Sequence, residues 1–421
     1  MKNFLAILFA LALCISRAQG QFMPMQTTGE FLRLVQTIPL PTDGYMDHLA
    51  ADVKGQRLFI AGEASKALVT VDLRAGKVIH FTQGLPAMPK KPVYVADLDE
   101  VWVNMTDSSL IAFSGTTYEP IKTVKLSEYG DSNKGGDNAA YDPKAHLFYA
   151  AVEVFDIQGT TDEPTPIGAK WGGGGDNHVP AGAAIDIVDT RSAKLVGTIG
   201  LPGGDPAGIA LEPSGKRLYV TMGDIIDGDS HVAVVDLGER AVVAQWPITG
   251  GPVPHTAALD PIHHRLLVGS RLKPNTGEIG GGHQHEPGKL VVMDTETGRV
   301  VQVLDSVGGA DDVFYDQATG RVYYTGTTGY VAVFQEKDPE HFECLGKVPT
   351  GAVSKTGLWV PELKRFYSAV PNHYVITAPH GTKNFRADLL RELTLKEGEA
   401  APMLSNLITE EPRLMVFDYL P

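Results

Sequence analysis

Along most of its length the chain alternates short apolar runs with polar turns, and the runs recur in a fixed order. The segments GQRLFIAG, DEVWVNM, AHLFYAA, GKRLYVTM, HHRLLVGS, GRVYYTG and LKRFYSAV begin near residues 55, 99, 145, 215, 263, 320 and 363. Each sets two large or branched apolar residues side by side: Leu58/Phe59, Val101/Trp102, Leu147/Phe148, Leu218/Tyr219, Leu266/Leu267, Val322/Tyr323 and Phe366/Tyr367. A second run follows, mostly ending in Asp: LVTVD, LIAFS, AIDIVD, VAVVD, LVVMD, YVAVF and LMVFD. After a turn comes a third, such as GKVIHFT or RAVVAQWPI, and a segment such as HLAADV, AGIALEP or HTAALDP precedes each unit. Four short strands per unit, with a period in the forties where loops are short, predict an all-β fold, a seven-bladed β-propeller. The last unit supplies only three strands before RLMVFDYLP ends the chain, whereas EFLRLVQTIPLP (30–41) reads as a spare fourth strand. That N-terminal strand is expected to pair with the last blade and close the ring, which removes exposed sheet edges.

The motif RLYVTM (217–222) and its cognates, followed by VAVVD, resemble the YVTN-repeat seven-bladed propellers, and exported bacterial members in particular. DHLAADVKGQRLFIAG, GGADDVFYD and SKTGLWVPELKRFYSAVP carry the likeness, which extends over nearly all of 30–421 outside the long insertions. The resemblance implies fold and export. It implies no chemistry, since one fold hosts many functions.

The first residues support export independently. MKNFLAILFALALCISRAQG has a basic start, an apolar stretch and small residues near Ala18, the three-part pattern of a cleaved signal peptide. Residues 1–18 are therefore assigned to the signal, 19–29 to a linker and 30–421 to the propeller. A lipid anchor at Cys14 is disfavoured by the bulky Leu13 before it. No other stretch is apolar for a bilayer's width, so no transmembrane segment is expected in a periplasmic or secreted protein. Removing Lys2 and Arg17 takes the formal net charge from −14 to −16. No basic cluster offsets it, which argues against nucleic acid as a partner. Beyond the signal Cys344 stands alone, so neither a disulfide framework nor a Cys-based metal site is available.

In a propeller blade, the loops between second and third strands share one face, here the top, with the loops between blades. The long insertions all belong there: 153–182 in blade 3, 271–288 in blade 5 and 371–412 in blade 7. Such loops on a rigid scaffold usually carry binding or catalysis. The blade-7 insertion contains NFRADLLRELTLK, whose apolar residues have helical spacing; a surface helix is the plainer reading and a lid the sharper one. Histidines follow the same bias. His48, His178, His231, His255, His283, His285, His373 and His380 fall at the top, His80 in an outer strand, and His146, His263, His264 and His341 in lower turns, where His263 and His264 are expected to be solvated.

Two top-face constellations carry candidate chemistry. His178, His231, His255, His283 and His285 lie on neighbouring blades, where several neutral imidazoles would suit Zn, Cu or Ni. The plainer reading is a set of solvated polar loops. Acidic residues open the inner strands at Asp47, Asp137, Asp205, Asp311 and Asp312, and their convergence on the channel would suit Ca or a cationic ligand; Asp after Gly also commonly caps its own turn. Asp47 with His48, and Asp311 with Asp312, are the preferred ligand-binding residues, and His255 is the candidate acid/base. Asp72, Asp189, Asp236 and Asp294 read as turn caps with no catalytic role. The function expected is binding of a small-molecule or peptide ligand at the top face. A metal-dependent lyase or hydrolase at the same face is the first alternative, and a scaffold for an envelope protein the second.

Overall fold

The computed structural model describes residues 30–127, 136–157, 178–203, 206–223, 230–271, 288–351, 354–372 and 411–421, with the side chains of 153–157 and 178–182 outside that description. The signal peptide, the linker, most of the long insertions, and His283, His285, His373, His380 and Asp205 all lie outside it.

Seven four-stranded antiparallel sheets form the ring, and strands follow one another outward in chain order in six of them. The innermost strands are Leu49–Asp52, Pro89–Val95, Gly136–Asp142, Pro206–Leu211, Pro254–Asp260, Ala310–Asp316 and Gly357–Val360, for blades 1 to 7. Blade 7 takes its outermost strand from the other end of the chain: Leu32–Pro39 pairs antiparallel with Arg413–Tyr419, from Leu32 opposite Tyr419 to Pro39 opposite Arg413. The expected closure is what the structure has.

The adjacent apolar pairs of the repeat acquire a physical meaning in this ring. Side chains alternate across a strand, so neighbours on a second strand face opposite inter-blade gaps. Leu58 packs between blades 7 and 1, and Phe59 between blades 1 and 2. Leu218 lies with Tyr149 and Ile185 between blades 3 and 4, while Tyr219 lies with Leu266 and Val268 between blades 4 and 5. Val322 and Tyr323, and Phe366 and Tyr367, split in the same way. The hydrophobic core is thus a ring of inter-blade layers. Every second strand must be apolar on both faces, which is why that segment reads most clearly in the sequence.

Turns at the lower face use carboxylates as backbone caps. Asp72 accepts hydrogen bonds from the Arg74 and Ala75 amides, Asp189 from Arg191 and Ser192, Asp236 from Gly238 and Glu239, and Asp294 from Glu296 and Thr297. Their geometry is that of turn caps.

Candidate functional site at the axial mouth

In five of the seven blades, the pairing of the inner strand with the second slips where the inner strand begins at the top. Register shifts fall between Pro89 and Pro92, Gly136 and Ala139, Pro206 and Ile209, Pro254 and Thr256, and Ala310 and Val313. A bulge bends its strand and re-aims the side chains within it. The residues released are Lys90 and Lys91, Asp137 and Asn138, Ala207 and Gly208, His255, and Asp311 and Asp312. In blades 1 and 7, Asp47/His48 and Lys355 occupy the corresponding position just before the strand. The fold therefore delivers charged or titratable groups from six blades to one place.

They form a connected cluster. The Lys90 Nζ donates to Asp47 at 2.9 Å and to Glu63 at 2.8 Å, and lies 3.7 Å from Asp137. Lys355 Nζ lies 3.5 Å from both Asp47 and Asp311, and 4.0 Å from Glu63. His48 Nδ1 is 2.9 Å from Asp312 Oδ1, and its Nε2 is 3.5 Å from Asp47. The other oxygen of Asp312 accepts from the Gly357 amide at 3.1 Å, so this one carboxylate ties blades 6, 7 and 1 together. Arg271 donates to Asp311 at 3.1 Å and to the Ala310 carbonyl at 2.7 Å, and His255 Nε2 lies 3.4 Å from Asp311.

Two lysines lie shallower than the three carboxylates they pair with, while Asp137 is 20% exposed and Arg271 9%. The side chains of Asp47, Asp311 and Glu63 are 3%, 2% and 6% exposed, against 19% for Lys90 and 15% for Lys355. Burial alone would raise the Asp47 carboxyl, yet the ammonium groups of Lys355 and Lys90 overcome it and hold that carboxyl well below its usual range. The Asp311 carboxyl is likewise lowered against burial, chiefly by Lys355 and His255. Glu63 goes the other way: burial, with the charge of Asp47 beside it, pushes it up to about 7. Both lysines stay charged, because the carboxylates around them outweigh their desolvation. Burial and the nearby Arg271 lower His255 and keep it neutral, whereas Asp312 and Asp47 raise His48 against its burial. Glu63 Oε2 and Asp311 Oδ2 are buried and accept no hydrogen bond among the described residues.

Five residues singled out from sequence, Asp47, His48, His255, Asp311 and Asp312, are thus brought into one cluster. His231 opens the third strand of blade 4, His231–Asp236, two strand spacings or about 10 Å farther from the axis than a first strand. His178 begins the third strand of blade 3, with its side chain outside the described set. Among the described residues, two triplets have candidate ligand atoms close enough for one metal ion: Asp47, His48 and Asp311, and, at the opposite face, Asp260, His263 and Glu336. Sequence reasoning missed Lys90, Lys355, Glu63 and Arg271. A signal existed for the lysines, since MPKKPVYV and VSKTGLWV place them at the same step before an inner strand as Asp47 and Asp311.

Comparison with known proteins places the fold and nothing finer. No family model matches the chain, and no curated protein does. Among solved structures it is similar to hydrazine synthase from Kuenenia stuttgartiensis, at 17% identity and a TM-score of 0.59, over 83% of this chain and 95% of that one. It is similar also to a chain of the mitotic checkpoint complex, at 12% identity and a TM-score of 0.59, over 88% and 96%. Among the described residues no helix is long and apolar enough to cross a membrane.

Proposed function

We propose that the axial mouth binds a small ligand or a peptide end carrying both an anionic group and hydrogen-bond donors. The observation that carries this reading is the difference in depth between Lys90 and Lys355 and the carboxylates of Asp47, Glu63 and Asp311 that they pair with. Two ammonium groups stand at the accessible level, and beneath them two buried carboxylate oxygens, Glu63 Oε2 and Asp311 Oδ2, lack donors. A ligand carboxylate meets Lys90 and Lys355 in charge-assisted hydrogen bonds. Amino or amide donors of the same ligand satisfy oxygens that are costly to leave unpaired. Zwitterionic small molecules and peptide termini have that pattern. Calcium in the channel would have to displace both ammonium groups, so an organic ligand fits the acidic residues better. Calorimetry of the full protein against amino acids, short peptides and dicarboxylates tests the reading. Binding of zwitterions that falls at least tenfold in Lys355→Met and Asp311→Asn, with melting temperature retained, supports it; unchanged affinity in both variants rejects it.

A transition-metal centre is the second reading, and the neutral state of His255 favours it, because a ligating or proton-accepting imidazole must be unprotonated. His255 with His178, His231, His283 and His285 would hold Zn, Cu or Ni at the top face. A bound ion there would polarise a substrate for a lyase or hydrolase, with His255 taking or giving the proton. Stoichiometric metal in untagged protein, and turnover lost in His255→Ala, are the expected results. Metal-free protein that captures an envelope protein would point to the scaffold role instead. Export and membership of the YVTN-repeat family complete the proposal, supported by the N-terminal pattern and the strand motifs. A mature N-terminus near residue 19 is the expected result of sequencing the secreted protein.

A further inference from the structure

The lower face carries a second cluster, between blades 5 and 6. Asp260 ends the innermost strand of blade 5, His263 sits in the following turn, and Glu336 comes from the third strand of blade 6, Tyr330–Asp338. The two carboxylate side chains are 0% and 5% exposed, and the imidazole is 42% exposed. His263 was expected to be solvated; its side chain is exposed and is in addition held by both acids. Its Nδ1 lies 2.7 Å from Asp260 Oδ2 and 2.8 Å from Glu336 Oε1.

One nitrogen carries one proton, and the Nδ1–H bond is directed at Asp260. Glu336 Oε1 therefore stays buried with no hydrogen-bond donor among the described residues, although the same nitrogen is next to it. The arginine opposite Asp260 in the strand pairing does not help. Arg265 is spent on Asp294, Glu340 and the Pro339 carbonyl. Among the described residues two buried carboxylates thus share a single neutralising group, an arrangement that costs free energy unless a cation is supplied.

The surroundings fix the three groups without filling the gap. Asp260 Oδ1 accepts the amides of Ile262 and His263 at 3.1 and 3.3 Å, which holds its other oxygen toward the cluster. The Tyr315 hydroxyl donates to Glu336 Oε2 and leaves Oε1 aimed at His263. Hydrogen bonds of this kind orient metal ligands in proteins. The imidazole is the exposed member of the three, the two carboxylates being buried.

We propose that Asp260, His263 and Glu336 form a binding site for a divalent transition ion of the Zn²⁺ class, separate from the axial mouth. The ion takes the place of the Nδ1 proton, with one oxygen from each carboxylate and Nδ1 as ligands and water as the fourth. Metal–ligand bonds of about 2.0–2.2 Å need ligand atoms about 3.3 Å apart in a tetrahedron. The observed 2.7 and 2.8 Å contacts then open by about half an ångström, and the exposed His263 turn can yield that much.

Zinc titration of the full, chelator-treated protein, followed by calorimetry and melting temperature, tests the site. Wild type is expected to bind one equivalent more than His263→Gln and Glu336→Gln, with a zinc-dependent rise in melting temperature missing from both variants. Tyr315→Phe should keep the equivalent but weaken it about tenfold, as loss of an orienting hydrogen bond does. His255→Ala should leave this equivalent untouched, which separates it from any metal at the top face. The two Gln substitutions replace one partly exposed side chain and one carboxylate by its near-isostere, and chelator-treated melting curves check that both fold. Equal zinc stoichiometry and equal zinc-induced stabilisation in wild type and both variants would overturn the proposal.

Discussion

The two ends of the ring hold their buried carboxylates in opposite ways. At the mouth, Asp47, Glu63 and Asp311 are covered by Lys90, Lys355 and Arg271. At the lower face, Asp260 and Glu336 share His263 as their one cationic neighbour among the described residues, the other donors being the neutral Tyr315 hydroxyl and two backbone amides. A carboxylate cluster with permanent cations built in is stable empty and suits a partner that brings charges of both signs. One that shares a single imidazole has an unfilled need for positive charge, which a metal ion meets. Acidic residues at both ends therefore imply different ligands, and the sign of their neighbours decides which.

The comparison breaks most visibly if the mouth does not depend on its cations. Lys90→Met should lower unfolding free energy by about 3–5 kcal/mol in urea at pH 7, the usual loss when one partner of a buried ion pair is removed. A loss under about 1 kcal/mol would mean that water already screens Asp47 and Glu63.

Glu63→Gln sharpens the same point through pH. With its carboxyl at about 7 in the fold and near 4.5 when unfolded, native Glu63 holds its proton more tightly over that interval. Its contribution to stability is therefore full below pH 4.5 and is lost as pH rises through 7. The Gln variant mimics the protonated form. It should exceed wild type by about 3 kcal/mol at pH 8 and lose that advantage toward pH 4.5, read from denaturation at each pH.

Smaller effects belong to the lower face. Asp72→Ala and Asp236→Ala each remove two amide caps and should cost about 1 kcal/mol in denaturant titrations. Glu336→Gln in chelator should change stability by no more than about 0.5 kcal/mol in either direction, because it relieves repulsion between acids while losing an ion pair. A large destabilisation there would show that His263⁺ alone already satisfies both carboxylates.

Some of this was legible from residues alone. Pairs such as Leu218/Tyr219 announce a strand buried on both faces, and the orphan strand at 30–41 announces ring closure. Asp47, His48, His255, Asp311 and Asp312 stood out by type and by position before an inner strand. Lys90 and Lys355 did not, because a lysine in a turn usually means solvent, and only the opposing acids make these two otherwise. Asp260 and Glu336 were beyond reach for a different reason. They lie in consecutive blades, 76 positions apart by their numbers, and no local spacing hints that they touch.

What the sequence determined by itself is the ring: alternation of period two, repeated with regular turns, leaves little choice but stacked sheets that bury both faces of each second strand. What the tertiary structure alone decided is the charge balance at each end. Electrostatic environment depends on which side chains approach within a few ångströms in space, and the bulges and blade contacts that set those approaches join residues far apart along the chain.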